Sequence, residues 1–539
     1  MMPRTVIAAL LACGCNHSAL STADGGGGDG GAGDGGACTS TVTPAAGIVM
    51  TDRGAVQGAR EVDTWAYKGI PYVAPPVGAL RFRPPVEHAC WPNALDATNF
   101  GNQCLQLDAN GMPLGDEDCL TLNVWTPSAT GAPLPVLLFI HGGGNTQGAS
   151  SVVTSGVAIY DAEYVAAHGP AVVVTINYRL GVMGFLAHPS LDAESDKKIS
   201  GNYGIFDQIA ALAWVQRNIA AFGGDPKRVL LFGESAGAVD TCVHLASPLS
   251  AGLFSAALME SGGCGDQPLA TVEQDGAAAV DKAGCTAAAD IPACLRALGG
   301  AALVQAAPGV VSVTGLETGI KYAPNVDGYL LADSPLNLIL AGKHNHVPFV
   351  VGANSDETSK YAPAVADAQA YTDLLHTQFG TVLGDLVLQQ YPAAGFATAR
   401  KAYIAVTTDA RFVCPSRKIA RSVSAQQTQP AYRYFFTHAL DAAPALQPLG
   451  AWHGLELLWV FHHLDVGNYP ASAAESALSD AMIGYWTRFA GAGDPNGAGA
   501  PNWPVYDATS DPALALDDTI AAITGVRTAN CNFWDSLTP

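Results

Sequence analysis

The segment that most restricts the fold is residues 228–232, a strand-like run of large and β-branched side chains. It stops at Gly233-Glu234-Ser235-Ala236-Gly237 and gives way to a helix-compatible stretch over 238–245. A serine flanked by glycines between a strand and a helix implies a turn so tight that bulky neighbours would clash. The glycines remove the clash, and the serine is thrust out near the positive end of the following helix. With 59 glycines in the chain, the five-residue pattern alone means little. Its place between strand and helix gives it weight.

Other apolar runs, over 136–140, 171–176, 229–232 and 347–351, read as buried strands. Between two of them, residues 207–222 place Ile209, Leu212, Ala213, Ile219 and Phe222 on one face of a helix. Strands alternating with helices predict an α/β fold, a large and mostly parallel sheet covered on both sides. Ligands of such sheets bind beyond the carboxyl ends of the strands. The run 136–140 ends in His141-Gly142-Gly143-Gly144, whose bare amides can approach a developing oxyanion. A phosphate loop would continue with Gly-Lys-Ser/Thr, and Asn145-Thr146-Gln147 stands there instead. An oxyanion loop is the expectation, with a plain turn as the bland alternative.

The start of the chain reads differently. Arg4, a short apolar stretch and Cys13-Gly14-Cys15 describe an export signal over 1–14. A cysteine after Leu10-Leu11-Ala12 resembles a bacterial lipobox, which makes Cys13, or less well Cys15, a candidate lipid anchor; an ordinary cleaved signal is the alternative. Residues 15–40 form a Gly/Asp-rich tether, of which the stretch 21–37 reaches roughly 20–25 Å. The remaining 41–539 read as one domain, exported and either secreted or anchored at a bacterial envelope. A net charge of -21, from 47 acidic against 26 basic residues, argues against nucleic acid as a partner.

The chain resembles the type-B carboxylesterase family, which includes cholinesterases and neuroligin-like adhesion proteins. Besides the two glycine motifs, the resemblance is carried by Lys68-Gly69-Ile70-Pro71-Tyr72, Leu80-Arg81-Phe82, Glu117-Asp118-Cys119-Leu120, Asn177-Tyr178-Arg179, Gly201-Asn202-Tyr203-Gly204 with Asp207-Gln208, and Phe222-Gly223-Gly224-Asp225-Pro226. It implies an α/β-hydrolase fold with insertions forming a gorge over the active site, and cleavage of small-molecule carboxylic esters. It also implies a catalytic set: Ser235 as nucleophile, His453 of Trp452-His453-Gly454-Leu455-Glu456 as base, and Glu357 of Gly352-Ala353-Asn354-Ser355-Asp356-Glu357-Thr358 as the orienting acid. Thr358 replaces the usual glycine, and Asp356 is the fallback acid. The oxyanion donors would be Gly143, Gly144 and Ala236. Glu234 and Ser261 match positions supporting the triad, or simply pack around the turn. The other reading on this fold is a non-catalytic binding or adhesion module. Of the 13 histidines only His453 has the required setting, and His462-His463 reads as a solvated or packed helix face.

Twelve cysteines suit an oxidising compartment. The resemblance implies the bridges Cys104–Cys119, Cys285–Cys294 and Cys414–Cys531. Cys38, Cys90, Cys242 and Cys264 are either two further bridges, Cys38–Cys90 and Cys242–Cys264, or buried thiols. No cofactor is expected, and no metal, since no Cys-x2-Cys or His-x3-His cluster converges with acidic ligands. The loop between Cys104 and Cys119, LQLDANGMPLGDED, has no aromatic residue to bind a choline-like cation. Asn145, where relatives place a large apolar residue, is expected to make its pocket wall more polar. Acyl specificity and oligomeric state are not legible.

Overall fold

The computed structural model describes residue 38, residues 42–128 and residues 131–537. The export signal over 1–14, Cys13 and Cys15, and all of the tether except Cys38 lie outside the described residues. Among the described residues, no helix is long and apolar enough to cross a membrane.

An eleven-stranded sheet organises the chain. In spatial order it runs Ala521–Thr524, Pro512–Leu516, Ala431–Phe436, Phe349–Asn354, Ala256–Glu260, Gly224–Glu234, Leu134–Ile140, Val172–Ile176, Thr121–Pro127, Thr64–Pro71 and Ala59–Arg60. Every pairing from Pro512–Leu516 to Val172–Ile176 is parallel, and the strands beyond both ends pair antiparallel. The expected parallel sheet is thus its centre, where both faces are covered. Alternation shows this within one strand: Val136, Leu138 and Ile140 join one core cluster while Leu137 and Phe139 join the other. A strand buried on both faces has no polar face to display, which is why 136–140 reads as an unbroken apolar run.

The order of strands reverses about Leu134–Ile140. From it the chain steps to Val172–Ile176 on one side and later to Gly224–Glu234 on the other. A crevice opens at the carboxyl ends where the direction of winding changes. Both glycine motifs emerge there.

The helix read over 207–222 covers Tyr203–Asn218 and ends in a tighter turn, Ile219–Phe222. The structure adds residues 203–206 at its start, and within it Asp207 and Gln208 are polar yet fully buried. Asp207 takes a bidentate ion pair from Arg179, with Nε and Nη2 each 2.7 Å from a carboxylate oxygen. Arg81 grips Glu117 in the same way, at 2.7 and 2.6 Å. Several of the motifs are therefore buried charge pairs pinning insertions onto the sheet.

Among the described residues there are five disulfides: Cys104–Cys119, Cys285–Cys294, Cys414–Cys531, Cys38–Cys90 and Cys242–Cys264. The last two resolve the open alternative in favour of bridges over thiols.

Candidate active site

Adjacent strands end in register. Ile140 lies opposite Gly233, Glu234 opposite Glu260, and Glu260 opposite Gly352, so the segments that follow leave the sheet side by side. Ser235 turns the chain from strand into the helix Ala236–Ala246 with φ 56° and ψ -117°. That backbone is strained for a residue with a side chain, and here it aims a hydroxyl. A Cβ on Gly237 would lie 2.1 Å from the Ile140 carbonyl oxygen, and one on Gly233 2.4 Å from that of Gly237. The spacing Gly-x-Ser-x-Gly is therefore a steric requirement of the neighbouring strand.

Two side chains from distant segments line up on Ser235. Its Oγ is 2.7 Å from His453 Nε2, and His453 Nδ1 is 2.7 Å from Glu357 Oε2. Glu357 is fully buried. Its Oε1 accepts the Asn354 N–H at 2.8 Å, and its carbonyl accepts the His453 N–H at 3.0 Å. With Nδ1–H donated to a carboxylate, the free lone pair of the imidazole sits at Nε2, facing the hydroxyl. Asp356 turns away, accepting from Ser355 Oγ at 2.7 Å and meeting Lys401 Nζ at 3.3 Å. Thr358 is accommodated because its hydroxyl sits 2.6 Å from that of Thr407 in a fully buried cluster.

The electrostatics are dominated by carboxylates. Burial opposes a charge on His453, but Glu234 and then Glu357 outweigh it and lift the imidazole above its usual range. Glu234 Oε1 is 3.4 Å from His453 Nε2. Burial pushes the Glu234 carboxyl up, against the pull of His453. Ser261 Oγ donates to Glu456 Oε1 at 3.0 Å, and Asn354 Nδ2 donates to the other oxygen of Glu456. Glu456 is raised by burial, then by Glu234 and Glu357. Glu234 thus faces the imidazole directly, while Ser261 reaches the site through Glu456.

Gly143 and Gly144 take positive φ of 109° and 65°. Among the described residues their N–H groups have no protein acceptor. A cavity of about 250 Å³ opens over Ser235, bordered by Gly144, Ala236, Val311, Phe412 and His453. Phe412, two residues before Cys414, stacks obliquely on His453 with ring centroids 4.9 Å apart. A wide helical turn, Asp409–Val413, puts it there.

Asn145 borders the cavity, and both ends of its amide are engaged: Nδ2 donates to Asp240 and Oδ1 accepts from the Tyr178 hydroxyl, both at 3.0 Å. One expectation is corrected. The pair His462-His463 is not on a helix face. It follows the short helix Leu457–Val460 in a turn, where His462 stacks on Tyr164 at 3.4 Å and His463 Nε2 meets the Asp161 carbonyl at 2.8 Å. Among the described residues one trio, His438, Asp441 and Asp518, is close enough to hold a cation. Both His438 nitrogens are already engaged, by Asp517 and Glu475 at 3.1 Å, so the trio reads as an ion-paired surface.

A mixed sheet with a parallel centre and a serine on the turn at its switch point define an α/β-hydrolase. Comparison with known proteins narrows the class: the model of the carboxylesterase family matches residues 45–534. The chain belongs to that family. It is 35% identical to a fumonisin B1 esterase of Sphingopyxis macrogoltabida over 85% of this chain and 84% of that protein. It is 33% identical to a cocaine esterase of Oryctolagus cuniculus, over 88% and 91% of the two chains. A cholinesterase of Mus musculus is 33% identical over 88% of this chain and 83% of its own. The protein is accordingly a carboxylic ester hydrolase acting on small-molecule esters, and the reading as a binding module gives way.

Proposed function

We propose that hydrolysis proceeds through an acyl-enzyme on Ser235. His453 takes the hydroxyl proton as the oxygen attacks the ester carbonyl, then returns it to the leaving alcohol. Glu357 holds the tautomer and stabilises the imidazolium, and Glu234 adds a second negative charge beside it. The amides of Gly143, Gly144 and Ala236 receive the oxyanion; one such donor is worth about 2.7–4 kcal/mol of transition-state stabilisation. A water activated by His453 then releases the acid. The observation that carries this reading is the unbroken hydrogen-bonded series Ser235–His453–Glu357 opening onto the cavity. In the test, Ser235→Ala abolishes turnover of a short-chain nitrophenyl ester by folded protein, and wild-type turnover in that variant defeats the reading.

The enzyme works outside the reducing cytosol in this proposal, with 41–539 as one catalytic domain behind a leader and tether. Five disulfides support export. Fatty-acid labelling in a bacterial host tests the anchor, with label expected on the wild type and lost with Cys13 and Cys15; an unlabelled wild type removes the anchor and leaves plain secretion.

A further inference from the structure

Behind the glycine loop runs a buried polar chain that the mechanism above does not use. Asn145, 2% exposed and held at φ 53°, is the first residue with a side chain after Gly144. Its amide is bonded at both ends, to Asp240 and to Tyr178. The Tyr178 hydroxyl also lies 3.0 Å from the His141 carbonyl, at the head of the same loop. Asp240 belongs to the helix Ala236–Ala246, which begins at the residue after Ser235. Its second oxygen accepts from Gln208 Nε2 at 2.6 Å, Gln208 Oε1 faces His244 Nε2 at 2.8 Å, and His244 Nδ1 faces Ser250 Oγ at 2.8 Å. Asp240, Gln208, His244 and Ser250 are all wholly inaccessible.

A carboxyl group in such a place costs free energy that an apolar pair would not, since it meets two amides and, among the described residues, no cation. Two glycines at positive φ, for their part, do not determine by themselves where their amides point. Some neighbour must anchor them if they are to meet an oxyanion formed on Ser235. Among the described residues, the one direct side-chain bond from the residue after those glycines to the helix that follows Ser235 is Asn145 to Asp240. We propose that Asn145 and Asp240 are positioning residues, a clamp that sets the glycine-loop amides relative to Ser235. The inference rests on the acyl-enzyme reading.

The test uses the full-length enzyme, with rates expressed per serine titrated by an organophosphate. Asn145→Ala is expected to lower kcat by about 10–100-fold, somewhat less than removal of an oxyanion donor. KM should stay within about threefold, because the lost interaction matters in the transition state. Affinity for a trifluoromethyl ketone, which forms a tetrahedral adduct, should fall with kcat/KM, while affinity for an unreactive amide analogue holds. Asp240→Asn alone sets an amide donor against amide donors and should lose activity likewise. Combining it with Asn145→Asp restores every pairing: Asp at 145 accepts from Tyr178 and from the new amide, whose oxygen accepts from Gln208. Recovery of kcat in the paired exchange supports the clamp. A folded Asn145→Ala with wild-type kcat overturns it, as does a folded paired exchange no better than its single parents. If Asn145→Ala does not fold, Tyr178→Phe, which removes one hydroxyl from the same amide, takes its place with the same criteria. Ser235→Ala run alongside separates the two ideas: its activity defeats the acyl-enzyme, whereas its silence beside a normal Asn145→Ala defeats only the clamp.

Discussion

The two walls of the site are held by different physics. The wall that carries Ser235, Gly143 and Gly144 grows from neighbouring central strands, and its shape follows from backbone contact. Gly237 has no room for a Cβ against the Ile140 carbonyl. The wall that carries Glu357 and His453 comes from loops 96 residues apart in the chain. It is held by polar bonds to buried carboxylates, by the packing of Phe412, and by a bridge closing 117 residues. Sterics make the first wall local and rigid. The second depends on groups that must stay buried and partnered, so substitutions there should act on chemistry and on stability separately.

The largest effect expected is on the second wall's own groups. If His453 and Glu357 act as proposed, His453→Ala should lower kcat by about 10⁶-fold, and Glu357→Gln by about 10⁴-fold, as for base and acid in triad hydrolases. Steady-state kinetics on a nitrophenyl ester, with folding checked by circular dichroism, measure both. The asymmetry matters: equal losses would mean that Glu357 does more than orient and stabilise the imidazole.

The same division explains what could be read from the chain. Period, glycine placement and the strand-turn-helix context exposed the sheet centre, Ser235 and the glycine loop, because each is dictated by residues within a few positions. Nothing within a few positions of His453 marks it among 13 histidines. Only the resemblance singled it out, along with Glu357. The antiparallel edges of the sheet and the wide turn at Asp409–Val413 were not legible, since both depend on partners far along the chain. The bonding of Asn145 was not legible for a related reason. A polar residue beside a pocket reads as pocket lining, and Asn145 does border the cavity, but the partner that holds its amide, Asp240, stands 95 residues away.

The bridge between Cys414 and Cys531 sharpens the comparison at an intermediate scale. Its closed loop spans 117 residues, against 9 for Cys285–Cys294. In the chain-entropy model the long one is worth about 4–5 kcal/mol and the short one about 2–3 kcal/mol. Replacing both cysteines of each pair with serine, followed by denaturant unfolding, should show the larger loss for the long bridge. Cys414 also follows the turn that sets Phe412 against His453. The Cys414→Ser/Cys531→Ser variant should therefore lose activity on warming before the sheet unfolds, whereas the short-bridge variant should lose both together. Coincident loss in both variants would remove the distinction between the walls.

The smallest effect expected falls where the walls meet, at Glu234 and His453. In the proposed mechanism the imidazole must be neutral to take the Ser235 proton, so kcat/KM should rise with pH as His453 deprotonates. Burial favours the neutral ring, but the negative charge of Glu234, 3.4 Å from Nε2, and that of Glu357 favour the cation more strongly. The acid limb of the wild type should lie above the ordinary histidine value of 6.5. Glu234→Gln keeps the size of the side chain and deletes the largest of the charges that favour the cation, those of Glu234, Glu357 and Glu456, so the ring gives up its proton at lower pH. The limb should move down, while the plateau at high pH changes little, because Glu357 still orients the ring. A pH profile of kcat/KM on a neutral ester measures the displacement. A limb that stays in place or moves up would mean that Glu234 is already uncharged when His453 titrates, and that the second wall alone sets the charge of the base.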